Sequence, residues 1–344
     1  MYTVVNIPYS SLIGVISPRA DERASLSLFR NIGAGVGLAP GAVILPLLVF
    51  DKVDEVKFLN GDKLLLCVIV LGLLSLPLAL FTFKNVTERL SAPAQQKIDV
   101  KKSFAGFAKN KPFIILSFAA LLMIGSQMYL QTINQYVFKD YFLEPEKFTF
   151  YSVAQYAPML ALMPIFNKLV ARFGKKEICA AGALFAAISF AVLYIIHTDN
   201  MWMYLVLSFL GGVGMNFFVL AMWALVTDVI DYQEIITGQR EDGLTYATFS
   251  FARKMGHTAA ASGSMALLGV IGYVVSDGSQ HITQTREVAN GMYVVATLVP
   301  AIAFGLIFIL LGLLYPLGKE RVAELQAKLQ AKRELSTEDS RNIV

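Results

Sequence analysis

Two cysteines, three histidines and two tryptophans in 344 residues leave few options for several kinds of chemistry. Cys67 and Cys179 each fall inside an apolar run, without CxxC or metal-type spacing, so both read as small buried hydrophobes and no disulfide framework is indicated. His197 and His281 fall in connecting segments, and no set of His, Cys and carboxylate residues has metal-ligand spacing. Charge is scarce too, at 16% of residues. The apolar runs lack paired carboxylates and catalytic motifs, so no enzyme is expected, and neither a cofactor nor a nucleic-acid partner is indicated. No charged n-region or small-residue cleavage site accompanies the first run, which sets it apart from a signal peptide.

What fills the chain is apolar length. Nine runs, at about 1–17, 26–50, 63–83, 112–137, 149–171, 177–196, 201–228, 245–275 and 290–316, each approach the roughly 20 residues needed to cross a hydrocarbon core. The mean hydropathy of +0.59 agrees. The runs are continuously apolar and lack a period of two, which excludes a β-barrel. The expected fold is an all-α membrane protein with about nine transmembrane helices.

The basic residues are unevenly placed. Segments 18–25, 84–111, 172–176, 229–243 and 317–344 hold 19 Lys and Arg, against 6 in the alternate connections 51–63, 138–148, 197–200 and 276–289. Positive residues stay on the cytoplasmic side of short loops, so the first set and the C-terminus are expected inside, in a cell-membrane protein. An odd number of spans then puts Met1 outside, and the simpler expectation is that further helices precede it. The chain divides into 1–83, a basic connection at 84–111, a six-helix unit at 112–317 and a polar, helix-prone tail at 318–344. Gly33, Gly37 and Gly41 recur every four residues, and Gly211, Gly212 and Gly214 thin another run, as close helix packing in a bilayer requires.

Polar groups at bilayer depth are costly and mark candidate sites. Arg30 can clamp a hydroxylated or anionic solute, or else snorkel to headgroups. Ser250, Lys254, His257 and Ala261 share one helical face that resembles a cavity lining; Arg253 points elsewhere, toward Asp228 or lipid phosphate. His257 is either a proton relay or, more simply, a neutral packing residue. Gln127, Gln131, Asn134 and Gln135 form an amide stripe suited to sugar hydroxyls, with interhelical hydrogen bonding as the alternative. Gln155 and Asn216 carry the same ambiguity. Tyr129, Tyr156 and Trp223 can stack on a sugar ring or simply pack.

The segment Tyr2-Thr3-Val4-Val5-Asn6-Ile7-Pro8-Tyr9-Ser10-Ser11-Leu12, followed by Asp21-Glu22-Arg23 and Arg30, resembles the helix-four to helix-five region of the glycoside–pentoside–hexuronide:cation symporters of the major facilitator superfamily. Thr227-Asp228-Val229-Ile230-Asp231-Tyr232-Gln233-Glu234 through Gly243 resembles that family's loop after helix ten, and residues 134–142 its helix-seven end. The resemblance implies a helical bundle equivalent to helices four to twelve, with residues 1–83 as helices four to six and three helices missing. It implies a sugar site containing Arg30, Asn6, Ser10 and Lys254, to which the amides Gln127, Gln131 and Asn134 are added from the stripe above. It implies cation coupling at Thr3, Asn6 and Lys254, and a cytoplasmic gate containing Asp228, Asp231, Glu234 and Arg240. Asn6 replaces an acidic residue found in the best-known member, and Ser10 an aromatic one, which bears on sugar preference; the family's helix-two carboxylates have no counterpart here, so the coupling ion is left open between Na+ and H+. The expected function is symport of a sugar with a monovalent cation by alternating access. A truncated, non-transporting fragment and a carrier of lipid-like solutes are the alternatives.

Overall fold

The computed structural model describes residues 19–39, 50–53, 56–59, 61–86, 110–238, 242–274 and 284–342, with isolated positions 9, 12, 16, 17 and 48. Among the described residues there are nine α-helices. They are α1 (Ala20–Ala39), α2 (Gly61–Asn85), α3 (Lys111–Tyr136), α4 (Phe148–Phe173), α5 (Lys175–Ile196), α6 (Met201–Thr237), α7 (Asp242–Ile271), α8 (Arg286–Phe308) and α9 (Lys319–Asn342). Two π-helical turns, Val137–Tyr141 and Ile309–Leu314, extend α3 and α8. Between α1 and α2 lies a short antiparallel pair, β1 (Phe50–Val53) and β2 (Val56–Leu59), in the register Phe50↔Leu59 to Val53↔Val56. The apolar-run reading did not foresee this hairpin.

The run 1–17 lies outside the described residues apart from its isolated positions. The run 26–50 is revised: α1 starts at Ala20 and its described part ends at Ala39. Hydropathy misses its polar first turn, and Pro40 disfavours helical backbone at the residue before it. The run 201–228 is also revised, because α6 continues to Thr237 over 37 residues. At 1.5 Å per residue that is about 55 Å, well beyond a hydrocarbon core of about 30 Å. Asp228, Asp231 and Glu234 are therefore helical residues, and the turn begins at Gly238, whose φ of 71° suits a residue without Cβ. Among the described residues, five helices, α2, α3 with its π turn, α5, α6 and α8 with its π turn, are long and apolar enough to span a membrane. The helices α4 and α7 reach 26 and 30 residues but carry more polar groups.

Local chemistry sets the ends. Asn110 accepts a hydrogen bond from the Phe113 amide ahead of Pro112, and Asn200 accepts from the amides of Trp202 and Met203. These side chains satisfy amides that a helix start leaves open. A sharp break at Gly174, φ 101°, separates α4 from α5.

Small residues let backbones meet. The helix α3 lies against α7 and α8, α5 lies between α6 and α8, and α4 and α1 flank α6. A Cβ on Gly256 would come 2.5 Å from the Leu121 carbonyl oxygen, and one on Gly182 would come 2.5 Å from that of Gly214. Among the described residues, nothing lies within 4 Å of a Cβ on Gly33 or Gly37. No side chain of α2 is buried. The tail helix α9 buries Val322, Leu325 and Leu329, and Lys319 Nζ donates to the carbonyls of Ala171 at 2.7 Å and Arg172 at 3.0 Å, capping α4.

Candidate functional site

One stripe of α1 fastens it to α6. Arg23, Ser27 and Asn31 recur at i, i+4 and i+8 and so share a face. Arg23 donates to Asp231 at 2.5 Å and lies 3.5 Å from the Thr227 carbonyl. Ser27 Oγ donates to the Leu220 carbonyl at 2.9 Å, and Asn31 Nδ2 donates to the Val219 carbonyl at 3.3 Å. A second ion pair, Lys175 to Asp228 at 2.5 Å, ties α5 to α6. Arg23 and Asp231 are each 2% exposed, so the pair is effectively out of water. The Asn167 amide donates to Ser25 at 3.0 Å, joining α4 to the same end.

Further along α1, Arg30 is half-buried with its guanidinium carbon 3.8 Å from the centroid of the Trp223 ring and 5.3 Å from that of Tyr9. Trp223 lies on α6 and is 4% exposed. Its indole stacks on Tyr246 at 5.9 Å and meets the edge of Phe249 at 6.0 Å. Arg253 of α7 completes the group, with its guanidinium carbon 4.9 Å from the same ring. Cations over an indole face gain from its quadrupole, by about 2 kcal/mol where water is excluded. The expected meeting of Arg253 with Asp228 is therefore revised: Asp228 binds Lys175, while Arg253 lies over Trp223.

The amides of α3 fall elsewhere. Asn134 is fully buried; its Nδ2 donates to the Tyr151 hydroxyl at 3.0 Å and its Oδ1 accepts from Tyr204 at 2.5 Å. Tyr204 and Trp223 are separated by 19 residues of α6, about 28 Å along its axis. Asn134 thus holds α3, α4 and α6 together and does not join Arg30, the interhelical alternative for this residue. Gln131 is half-buried and accepts from Ser152 at 3.5 Å, and Gln127 is half-buried one turn deeper. Gln155 and Asn216 are fasteners as well: Gln155 donates to the Ser208 carbonyl at 3.1 Å, and Asn216 donates to the Gln155 carbonyl at 3.0 Å. The Tyr129 hydroxyl donates to the Val295 carbonyl at 2.9 Å, a packing role. Lys254 and His257 are exposed on α7, so His257 is not a buried packing residue. Glu234 is half-buried in α6. Thr3, Asn6, Ser10 and Arg240 lie outside the described residues.

The end opposite Arg23 carries a separate polar group. Tyr141, Glu144, Asp199 and Arg286 line an open depression of about 400 Å³. Asp199 accepts from Tyr141 at 2.8 Å and from Arg286 at 2.6 Å. The Tyr141 hydroxyl, followed by Arg286, holds the Asp199 carboxyl below the ordinary carboxylate range.

Sequence reasoning missed both buried ion pairs, because Arg23 and Lys175 were assigned to loops. The signal available was the Arg23/Ser27/Asn31 spacing, which continues the face of a helix.

The family model described as MFS/sugar transport protein matches residues 1–319. An uncharacterized symporter of Bacillus subtilis (strain 168), YjmB, is 29% identical over 339 residues, covering 96% of this chain and 70% of the relative. A glucuronide carrier protein homolog of Escherichia coli (strain K12) is 26% identical over 337 residues, covering 97% and 71%. A putative sulfoquinovose importer of Salmonella typhimurium (strain LT2) is 27% identical over 333 residues, covering 94% and 66%.

Proposed function

Because the chain belongs to the MFS/sugar transport family, a family of carriers and not of enzymes, we propose that it performs cation-coupled symport of a glycoside, pentoside or hexuronide by alternating access. The observation that carries this reading is the junction of α1, α6 and α7, where Arg30 and Arg253 meet on Trp223 beside buried ion pairs. In such carriers the solute sits near the midplane and the helix groups rock around it. Arg30 is the principal solute contact in this reading, with Lys254, Gln127 and Gln131 as further candidates. The end of the molecule at Arg23 is the cytoplasmic one, in keeping with the basic segments there. The pairs Arg23–Asp231 and Lys175–Asp228 hold that end shut, and their separation opens it.

The names of relatives support the same class: one is a symporter, one a glucuronide carrier homolog and one a sulfoquinovose importer. The coupling ion is Na+ or H+, with Thr3, Asn6 and Lys254 as the residues that serve it. The test is uptake of labelled sugars into proteoliposomes under an imposed Na+ or H+ gradient, for the wild type and Arg30→Ala. Gradient-driven accumulation that Arg30→Ala abolishes supports the reading. Accumulation unchanged by the substitution, or competition by lysolipids and not by sugars, overturns it.

A further inference from the structure

We infer that the cavity enclosed by the α4–α5 break and the tail helix α9 is a binding site for a net-anionic phosphate group, carried by a phospholipid headgroup or by a free phosphate. Asp228 in its lining lies three residues before Asp231, so the cavity belongs to the Arg23 end of the molecule. The inference rests on the chemistry of that cavity and not on the carrier reading.

Two glycines shape the walls. Gly174 turns the chain sharply from α4 into α5, and a Cβ there would strike the Glu177 carboxylate. Gly318 precedes α9, and a Cβ on it would come 2.9 Å from the same carboxylate. Lys319 Nζ fastens α9 to the Ala171 and Arg172 carbonyls, while Val322, Leu325 and Leu329 seat the helix. Between these walls lies a cavity of about 220 Å³, whose lining includes Gly174, Lys175, Lys176, Asp228, Lys319 and Gln326. That is below the roughly 300–1,000 Å³ of pockets for drug-sized ligands and suits a compact headgroup. The first helical bond of α5 runs from the Ile178 amide to the Gly174 carbonyl, and Gly174 offers no side chain to cap the amides before it. Open amides and the positive end of a helix dipole both favour an anion.

The lining is cationic and short of acceptors. Lys175, Lys176 and Lys319 face one acid, Asp228, which Lys175 binds at 2.5 Å. Glu177 at the rim is exposed and accepts from the Lys319 amide at 3.3 Å, so the group keeps a net positive charge. Lys319 engages two carbonyls, which leaves one of its three ammonium donors. Lys176 is half-buried and has no ion-pair partner among the described residues. Gln326 Nε2 is enclosed, with no hydrogen-bond partner among the described residues. A buried donor left unpaired is costly, and a phosphate oxygen satisfies it. A solvated lysine face is the ordinary reading of such a cluster. It accounts neither for Lys175, only 7% exposed, nor for the enclosed Gln326 amide. Lys176, the remaining Lys319 donor, Gln326 and the first amides of α5 supply the contacts, with lysine acting on phosphate as a point charge.

The test uses the full chain in a neutral detergent at constant ionic strength. The probes are inorganic phosphate, dihexanoyl phosphatidylglycerol and dihexanoyl phosphatidylcholine, and the readout is the concentration-dependent rise in unfolding temperature. At least one of the two anions is expected to stabilise the wild type. Phosphatidylcholine, whose phosphate is neutralised by its own choline, is not. A response to phosphatidylglycerol alone assigns the site to a lipid headgroup, and a response to inorganic phosphate alone assigns it to a free phosphate. A response to both shows that the phosphate suffices without acyl chains. Lys176→Gln is expected to weaken the effective probe by about tenfold or more, the loss of one charge-assisted contact, and Lys147→Gln, at the far end, to leave it unchanged. The inference is overturned if neither anion stabilises, if phosphatidylcholine does so equally, or if Lys176→Gln keeps the full response. Should Lys176→Gln misfold, acetylation of the wild type, mapped by mass spectrometry, decides. Slower modification of Lys176 with an anionic probe than with phosphatidylcholine supports the inference, and equal rates overturn it. No sugar enters the assay, so the carrier reading stands or falls separately.

Discussion

Removing the carboxylate of Asp231 gives the most direct test of how α1 is held. The Arg23–Asp231 contact is 2.5 Å long, and both side chains are 2% exposed. Asp231→Asn keeps the volume and deletes the charge that faces the buried Arg23 guanidinium, which also lies 3.5 Å from the Thr227 carbonyl. Breaking one partner of a buried pair costs about 3–5 kcal/mol, whereas replacing both with apolar groups of similar size is close to neutral or stabilising by about 1–4 kcal/mol. Thermal unfolding in detergent is therefore expected to fall for Asp231→Asn and for Arg23→Gln, and to recover in Arg23→Met/Asp231→Leu. Closure is read separately. Ser27 is buried on the same stripe, so Ser27→Cys, with Cys67 and Cys179 replaced, reports access to that end. Maleimide labelling of Ser27→Cys is expected to quicken in the apolar double variant, which is folded but lacks the ionic fastening. A double-mutant coupling below about 0.5 kcal/mol, the level of a surface pair, would refute the argument. Equal labelling in both backgrounds would confine the pair to a structural role.

Other substitutions separate packing from solute contact. Gly256→Ala places a Cβ 2.5 Å from a backbone oxygen and should cost about 1–3 kcal/mol in thermal unfolding, while Gly33→Ala meets open space and should be neutral or gain up to about 1 kcal/mol. Asn134→Ala leaves two phenols short of a partner and should lower stability by about 1–3 kcal/mol, whereas Gln131→Ala should change sugar uptake more than unfolding temperature. Because the Asp199 carboxyl is held below its unfolded value near 4, its contribution is complete above that pH and is lost as pH falls through the lowered value. Asp199→Asn should flatten that acid limb of a melting-temperature profile, and an unchanged limb would count against the Tyr141–Asp199–Arg286 group. Lys319→Ala removes the cap on α4 and should speed limited proteolysis within α9.

Hydropathy reads the helices well where each is apolar from end to end, as in α2 and α5, whose edges fall within a few residues of the runs. It fails at α1 and α6 for one reason. A helix that pairs its charges internally carries polar residues past the point where an apolar window stops, so Arg23 and Asp231 look like loop residues until their partner is known. The functional residues divide in the same way. Arg30 is legible as a charge at bilayer depth. Trp223 as its platform, and Arg253 as a second cation there, depend on which faces of three helices meet, and no single segment encodes that. Asn134 and Gln131 look alike in the sequence; only the phenols of Tyr151 and Tyr204, 17 and 70 residues from Asn134, tell them apart.

The length of α6 has a mechanical consequence. It runs from Met201 to Thr237 without a proline, in contrast to α4 with Pro158 and Pro164 and α8 with Pro300. Tyr204 seats one extremity in the aromatic cluster, Trp223 the middle, and Asp228 and Asp231 the other extremity. On the proposed alternating-access reading, a continuous helix pinned near its centre swings its tips in opposite senses, so loosening one mouth of the molecule would drive the other toward closure.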